Sequence, residues 1–263
     1  IDTSKAEAAP GVLAVMTGAD MPIADAKRLD LGEEMTNAKF ASERIMASDK
    51  VLYKGHPLAA VAATDHNSAL EALKLIEVDY EVLKPVISLE DAMAPDAVII
   101  HDDLVGDHLG EKVPHTNIAE HQRTENGDPE AAFAASATVI ERTFTIARAH
   151  QGYIEPHSAT ALWNPDGNLT VWCSSQGHFG TRTSLATMVG IPESRVKIVY
   201  MELGGGFGGK HAIYLEPLAA VLSRKTGLPV KMTMTRAEVM EATGPASGSH
   251  MNVKIGVTSE GRI

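Results

Sequence analysis

Gly204-Gly205-Gly206-Phe207-Gly208-Gly209-Lys210 is the stretch from which the rest of the chain is read. Five of its seven residues lack a Cβ, so the backbone can enter φ > 0 and other groups can come close to its amides. Before it, Arg195-Val196-Lys197-Ile198-Val199-Tyr200 reads as a strand, and after it 213–225, with helical apolar spacing and a late glycine, reads as a helix. A strand-loop-helix unit of this kind presents free N–H groups to an anion or an oxygen ligand. The spacing Gly204-x4-Gly209-Lys210 meets the first part of a phosphate-binding P-loop, but His211 stands where Ser or Thr would hold Mg²⁺. A tight turn with no ligand is the remaining alternative.

A chain of 263 residues is long enough for two domains of ordinary size. Apolar residues make up 44% and charged residues 22%, a globular balance. No apolar run has the length of a membrane span, and Ile1-Asp2-Thr3-Ser4 does not open a signal peptide. The start without Met and the end at Ile263 read as a piece of a longer polypeptide. With 34 acidic against 23 basic side chains, the net charge of −11 repels phosphate backbones, so nucleic acid is a poor partner. The single cysteine, Cys173, excludes an internal disulfide and an iron–sulfur cluster ligated by this chain alone, and its apolar neighbours place it in the core.

Residues 1–86 read as an α/β unit: a short helix over 3–9 ended by Pro10-Gly11, buried strands at 12–15 and 58–63, a helix over 67–75 capped by Asp65, and an alternating strand at 76–83, together a small mixed sheet. The stretch 87–126 reads as a linker, because Pro95, Gly106, Gly110 and Pro114 break regular structure, and His101, His108, His115 and His121 are then solvated linker residues. A second unit over 127–263 opens with Asp128-Pro129-Glu130 as an N-cap followed by proline. It continues with a long strand at 139–147, a hairpin of 160–163 and 169–172 about Asn164-Pro165-Asp166-Gly167, a helix over 179–189, and strands at 195–200, 229–235 and 251–257.

Gln176 follows one apolar strand and the glycine loop follows the next. The ends of neighbouring βα units converge on one sheet edge, where α/β folds place ligands. Glu155, in Tyr153-Ile154-Glu155-Pro156-His157, reads as a turn residue.

Ser175-Gln176, then Pro192-Glu193-Ser194-Arg195-Val196, then the glycine loop resemble the molybdenum-cofactor subunit of the xanthine dehydrogenase and aldehyde oxidase family, which also includes aerobic carbon monoxide dehydrogenase. Pro10-Gly11-Val12, Tyr53-Lys54-Gly55-His56-Pro57 and Val78-Asp79-Tyr80-Glu81 are similar to that family's α/β hammerhead domain. The resemblance implies an α+β (mixed α/β) fold, with a hammerhead-like domain followed by the first part of a molybdopterin-binding domain.

For the site, the resemblance implies that the Gln176 side-chain amide and the Phe207 backbone N–H face an oxygen on molybdenum, and that Gly205, Gly206, Gly208 and Gly209 let the backbone lie against metal and pterin. Lys210 would offset cofactor charge. His211 would face the substrate; purine-hydroxylating members carry glutamate there, so a purine substrate is disfavoured. The implied cofactor is molybdopterin in its cytosine dinucleotide form with molybdenum, and the implied partners are a 2Fe-2S subunit and an FAD subunit in the cytoplasm. The implied activity is water-derived hydroxylation of an aldehyde, N-heterocycle or related small molecule. No catalytic residue is expected here, because the family's general-base glutamate lies downstream, and the isolated chain is expected to be inactive. A P-loop-like nucleotide-binding protein and a non-catalytic assembly module are the alternatives.

Overall fold

The glycine loop leaves the C-terminal end of Val196–Tyr200, an edge strand of a four-stranded sheet, in a computed structural model that describes residues 1–22, 28–30 and 35–263. Next to it lies Leu169–Cys173 in parallel, with Leu169 opposite Val196 and Cys173 opposite Tyr200. Ser158–Trp163 pairs antiparallel with the far side of that strand, and Val230–Thr233 closes the sheet. Alternation explains which face is covered: Ala159, Ala161, Trp163, Leu169, Val171 and Cys173 point inward and are buried. Helix Glu216–Thr226 supplies Leu218, Ala219 and Leu222 to the same core. Each fully buried Leu or Val contributes about 1.5–3 kcal/mol.

Helix His178–Val189 joins the two parallel strands and ends at Gly190, whose φ of 72° permits the left-handed cap. The missed helix Arg236–Ala242 opens with a capping box, in which Thr235 and Glu238 satisfy each other's backbone N–H groups. Ala38–Glu43, also missed, is capped by Asn37.

The chain divides into two compact units, one formed by 1–79 with 148–247 and the other by 80–147 with 248–263. In the first, Val12–Thr17 and Ala59–Ala63 form a two-stranded antiparallel sheet. Its faces diverge: Met16, Ala60 and Ala62 enter the main core, while Val15 packs with Ala6 and Ala72 from the helices Ser4–Glu7 and His66–Leu73. Asp65 caps the second of these by accepting from the Ser68 N–H. Leu13, expected to be buried, is 47% exposed. The expected strand at 76–83 is not formed: Glu77 makes one bridge to Asp2, and Val82 is 90% exposed. Alternation prepared this segment for pairing, but among the described residues no neighbouring strand runs beside 78–83.

In the second unit, the stretch read as a linker carries regular structure. Val105–His108 pairs with Glu111–Pro114 and, in parallel, with Glu120–His121. Leu109 and Gly110, at φ 56° and 93°, make the two-residue turn between the first pair, so the supposed breaker is a hairpin residue. Gly106 belongs in its strand because a Cβ there would lie 2.2 Å from the Ile118 carbonyl oxygen. His108 and His121 consequently lie on strands, edge-on to each other, rather than in an irregular linker, although His121 is exposed as expected. Asp128 caps Pro129–Ala135 as its sequence indicates. Thr138–Ile146 and Ser249–Val257 pair over their whole length as a two-stranded ribbon.

Candidate active site

Because Cys173 and Tyr200 are register partners, Gln176 and the glycine loop emerge side by side from two parallel strands. The Met201 N–H, donating to the Cys173 carbonyl at 3.0 Å, carries the pairing one step beyond the strand end. The sheet edge thus brings together the two segments that sequence order separates.

Gln176 is gripped at several points. Its backbone N–H donates to the Lys210 carbonyl at 3.0 Å. Its side-chain Oε1 accepts from the Gly208 and Lys210 N–H groups, each at 3.1 Å. Two N–H donors dictate which end of the amide faces the loop: oxygen must point inward, so the Nε2 hydrogens point away. Among the described residues no acceptor meets Nε2. The Gln176 amide is therefore a donor held in a fixed direction.

The loop's shape requires its composition. Gly205 and Gly208 have φ of 92° and 89°, where side chains are strained. At Gly206 a Cβ would lie 2.3 Å from Gln176 Oε1, and at Gly209 it would lie 2.6 Å from Tyr153 Cε1. Phe207 itself adopts φ 51°, an uncommon conformation for a bulky residue, with its side chain exposed. Within the described residues the N–H groups of Gly205, Gly206 and Phe207 have no acceptor. Left-handed positions at Gly205, Phe207 and Gly208 beside unpaired N–H groups form an anion-binding concavity.

Lys210 corrects the expectation that it would offset cofactor charge. Its side chain is fully buried, and Nζ donates to Glu155 Oε2 at 2.6 Å while lying 5.0 Å from the centre of the Tyr153 ring. The same Glu155 oxygen accepts from the Gly204 N–H at 2.6 Å, and the Glu155 N–H donates back to the Gly204 carbonyl. Burial pushes the Glu155 carboxyl up, but Lys210 and the Gly204 N–H outweigh it and hold its pKa below the ordinary value. Glu155, read as a turn residue, is thus the partner of both ends of the loop. Only its neighbour Pro156, which favours an extended backbone before it, hinted at a specific role.

Beneath the loop lies a polar cluster that the sequence did not reveal. The Tyr153 hydroxyl meets His157 Nε2 at 2.8 Å and Thr243 Oγ1 at 3.2 Å, and His150 Nε2 meets Thr243 Oγ1 at 2.8 Å. Burial, then repulsion from Lys210, lowers the His157 pKa to about 4, so its imidazole is neutral at neutral pH. Arg236 donates to the carbonyls of Tyr153 and Ile154, fixing the segment that carries Glu155. Cys173 is buried, and burial followed by the neighbouring Glu216 pushes its thiol pKa far up, so the thiol stays protonated. His211 is half-buried, with its N–H directed at the Gly208 carbonyl at 3.4 Å and its Nδ1 next to Gly177.

The P-loop alternative fails on this geometry. A P-loop lysine must reach phosphate, whereas Nζ of Lys210 is enclosed and paired; the following helix begins only at Glu216. Among the described residues no helix is long and apolar enough to cross a membrane.

Comparison with known proteins bears on the family of the chain. The family model "Aldehyde oxidase and xanthine dehydrogenase, a/b hammerhead domain" matches residues 1–84, and "Molybdopterin cofactor-binding domain" matches residues 109–263. A probable hypoxanthine oxidase of Escherichia coli K12 is 34% identical over all of this chain and 30% of its own length. The carbon monoxide dehydrogenase large chain of Afipia carboxidovorans is also 34% identical, over all of this chain and 32% of its own. Among solved structures, reconstituted CO dehydrogenase from Oligotropha carboxidovorans superposes with a TM-score of 0.80 at 32% identity, over 98% of this chain and 32% of that one. The chain therefore spans about a third of the length of these relatives. These matches give one assignment: the chain belongs to the xanthine dehydrogenase and aldehyde oxidase family, as the hammerhead and part of the molybdopterin cofactor-binding region of its large subunit.

Proposed function

We propose that this chain works as part of a molybdenum hydroxylase and that its glycine-loop edge holds one side of the cofactor. The observation that carries the reading is the fixed Gln176 amide, whose oxygen accepts from the Gly208 and Lys210 N–H groups and whose Nε2 hydrogens therefore point away from them. Such neutral donors stabilise partial negative charge on an oxygen without adding a competing ligand. The loop fits the group for a second reason: Gly206 and Gly209 leave no room for a Cβ, so the backbone itself forms the wall.

When bound, molybdopterin with molybdenum supplies a two-electron acceptor for hydroxylation of carbon with oxygen from water. Gln176 and Phe207 orient it by donating N–H groups, and Gly205, Gly206, Gly208 and Gly209 form the surface against it. His211 lies on the substrate side, selecting an aldehyde, N-heterocycle or related small molecule. The cytosine dinucleotide form of the cofactor, the iron–sulfur and FAD subunits as electron partners, and a cytoplasmic setting belong to the same proposal.

Elemental analysis of the complete enzyme tests it. Near-stoichiometric molybdenum in the natural protein, lost at least severalfold in Gln176→Ala, is the expected result; molybdenum content and turnover unchanged in that variant would overturn the assignment. For His211→Ala, substrate preference or KM should change more than molybdenum content does.

A further inference from the structure

We infer that the ion pair between half-buried Glu155 and fully buried Lys210 is a positioning device that holds the glycine loop in the shape presenting Gln176 and Phe207 to the cofactor. The inference rests on the reading of this edge as the molybdenum-cofactor site. Its physical basis is closure of the loop at both ends by one carboxylate. Glu155 meets the first loop residue through the Gly204 N–H and the last through Lys210 Nζ, both at 2.6 Å and both on Oε2. Between these anchors the chain passes through three left-handed residues, Gly205, Phe207 and Gly208. A phenylalanine in that region persists only where its surroundings over-determine it.

The pair acts on the cofactor side through Lys210. Its side chain is held by Glu155, its N–H donates to Gln176 Oε1, and its carbonyl accepts from the Gln176 N–H. Displacing Lys210 thus removes both a donor that orients the glutamine side chain and an acceptor that fixes its backbone. Charge gives a reason for an ion pair at this place. An unpaired lysine would bring a positive charge beside the cofactor, whereas Lys210 paired with Glu155 leaves a neutral wall whose only polar output is oriented N–H groups. Arg236 and Tyr153 brace the pair from behind, through the carbonyls of Tyr153 and Ile154 and the ring face over Nζ.

The experiment uses the complete enzyme carrying Glu155→Gln with Lys210→Met, which removes the pair without leaving a buried charge alone. Three quantities are read: hydrogen exchange at the Gly208 and Lys210 amides, molybdenum per protein, and the electron paramagnetic resonance spectrum of the reduced metal. Expected are exchange at least tenfold faster, molybdenum lowered at least threefold and an altered spectrum in the residual metal, with exchange in Leu169–Cys173 unchanged. The exposed pair of Asp20 and Lys225, removed as Asp20→Asn with Lys225→Met, should move none of the three. Glu155→Asp, which keeps both charges but withdraws the carboxylate by one methylene, should fall between and serves where the double variant does not fold.

Exchange within twofold of the natural protein, or faster exchange with molybdenum and spectrum unchanged, would overturn the inference. Gln176→Ala separates the two levels of argument. If it alters molybdenum or the spectrum while the pair variants do not, the site reading stands and the positioning role falls. If it alters neither, the site reading has failed.

Discussion

The glycine-loop edge and the ribbon of Thr138–Ile146 with Ser249–Val257 are both built on paired strands, yet their polar and apolar groups are arranged in opposite ways. At the loop edge, a lysine is enclosed against the Tyr153 ring and paired with a glutamate, while apolar residues fill the sheet below. On the ribbon, Ile140, Phe144, Ile146, Met251, Val253 and Ile255 share one face by register and are all exposed to a third or more. The opposite face carries Glu141, Thr143, Asn252 and Lys254, with the Phe133 ring 4.5 Å from Lys254 Nζ. Buried polar groups draw their energetic weight from exclusion of water, whereas half-exposed apolar groups gain little from one another. Regular pairing alone therefore does not reveal where the chain is sensitive to change.

The largest expected effect follows from that difference. Glu155→Ala leaves the Lys210 ammonium buried without a partner and should destabilise the first unit by about 3–5 kcal/mol. Lys112→Ala, which breaks the exposed pair with Asp107 in the second unit, should cost at most about 1 kcal/mol. Urea unfolding of the 263-residue chain, followed by near-ultraviolet circular dichroism, measures both. Equal costs would break the contrast.

Acid supplies the next effect. His157 has a folded pKa of about 4 against the ordinary 6.5, so the unfolded chain binds more protons over that interval. Its contribution to stability is complete above about pH 6.5, falls by about 2 kcal/mol on reaching pH 5, and is lost fully below about pH 4. Urea titrations at pH 7 and pH 5 should show this loss in the natural chain and not in His157→Asn. The interval lies above the range in which most carboxylates titrate, so they do not mask it.

Much of the first unit's sheet was legible in the sequence because its signals are local. Alternation, the turn at Asn164-Pro165-Asp166-Gly167, and the cap at Asp65 each act within a few residues, as does the cap at Asp128 in the second unit. The meeting of Gln176 with the loop was also legible, as consecutive parallel strands have adjacent ends. The Glu155 tie was not, since 55 residues separate it from Lys210 and no local pattern encodes their contact. In 87–126 the difficulty was of another kind: Gly106 and Gly110 had two readings, and only the partner strand decides between breaker and hairpin. For 76–83 the alternation was genuine, but a strand needs a neighbour as well as a pattern.

Glycine substitutions sharpen the comparison at intermediate size. Gly206→Ala places a Cβ where Gln176 Oε1 now lies and should cost about 1–3 kcal/mol while displacing that side chain. Gly110→Ala, in open space at φ 93°, bears only the backbone strain, about 1 kcal/mol. Thermal unfolding ranks the two, and exchange at the Gly208 amide should rise only in the first.

The smallest effect is expected on the ribbon, where the same replacement residue can be compared with the core. Val171→Thr buries a hydroxyl in the fully enclosed sheet and should cost about 1–3 kcal/mol. Phe144→Thr keeps a good strand former in place and forfeits only half-exposed area and its cross-strand contact with Met251. Such a pair contributes about 0.2–1 kcal/mol, so the loss in the isolated chain should remain below about 1 kcal/mol. The two variants are compared by urea unfolding at two protein concentrations a hundredfold apart. If Phe144→Thr costs as much as Val171→Thr and the cost grows with concentration, the apolar face is buried between copies in solution. If the cost is equally large at both concentrations, the face is covered within the chain and the contrast between ribbon and loop edge is wrong.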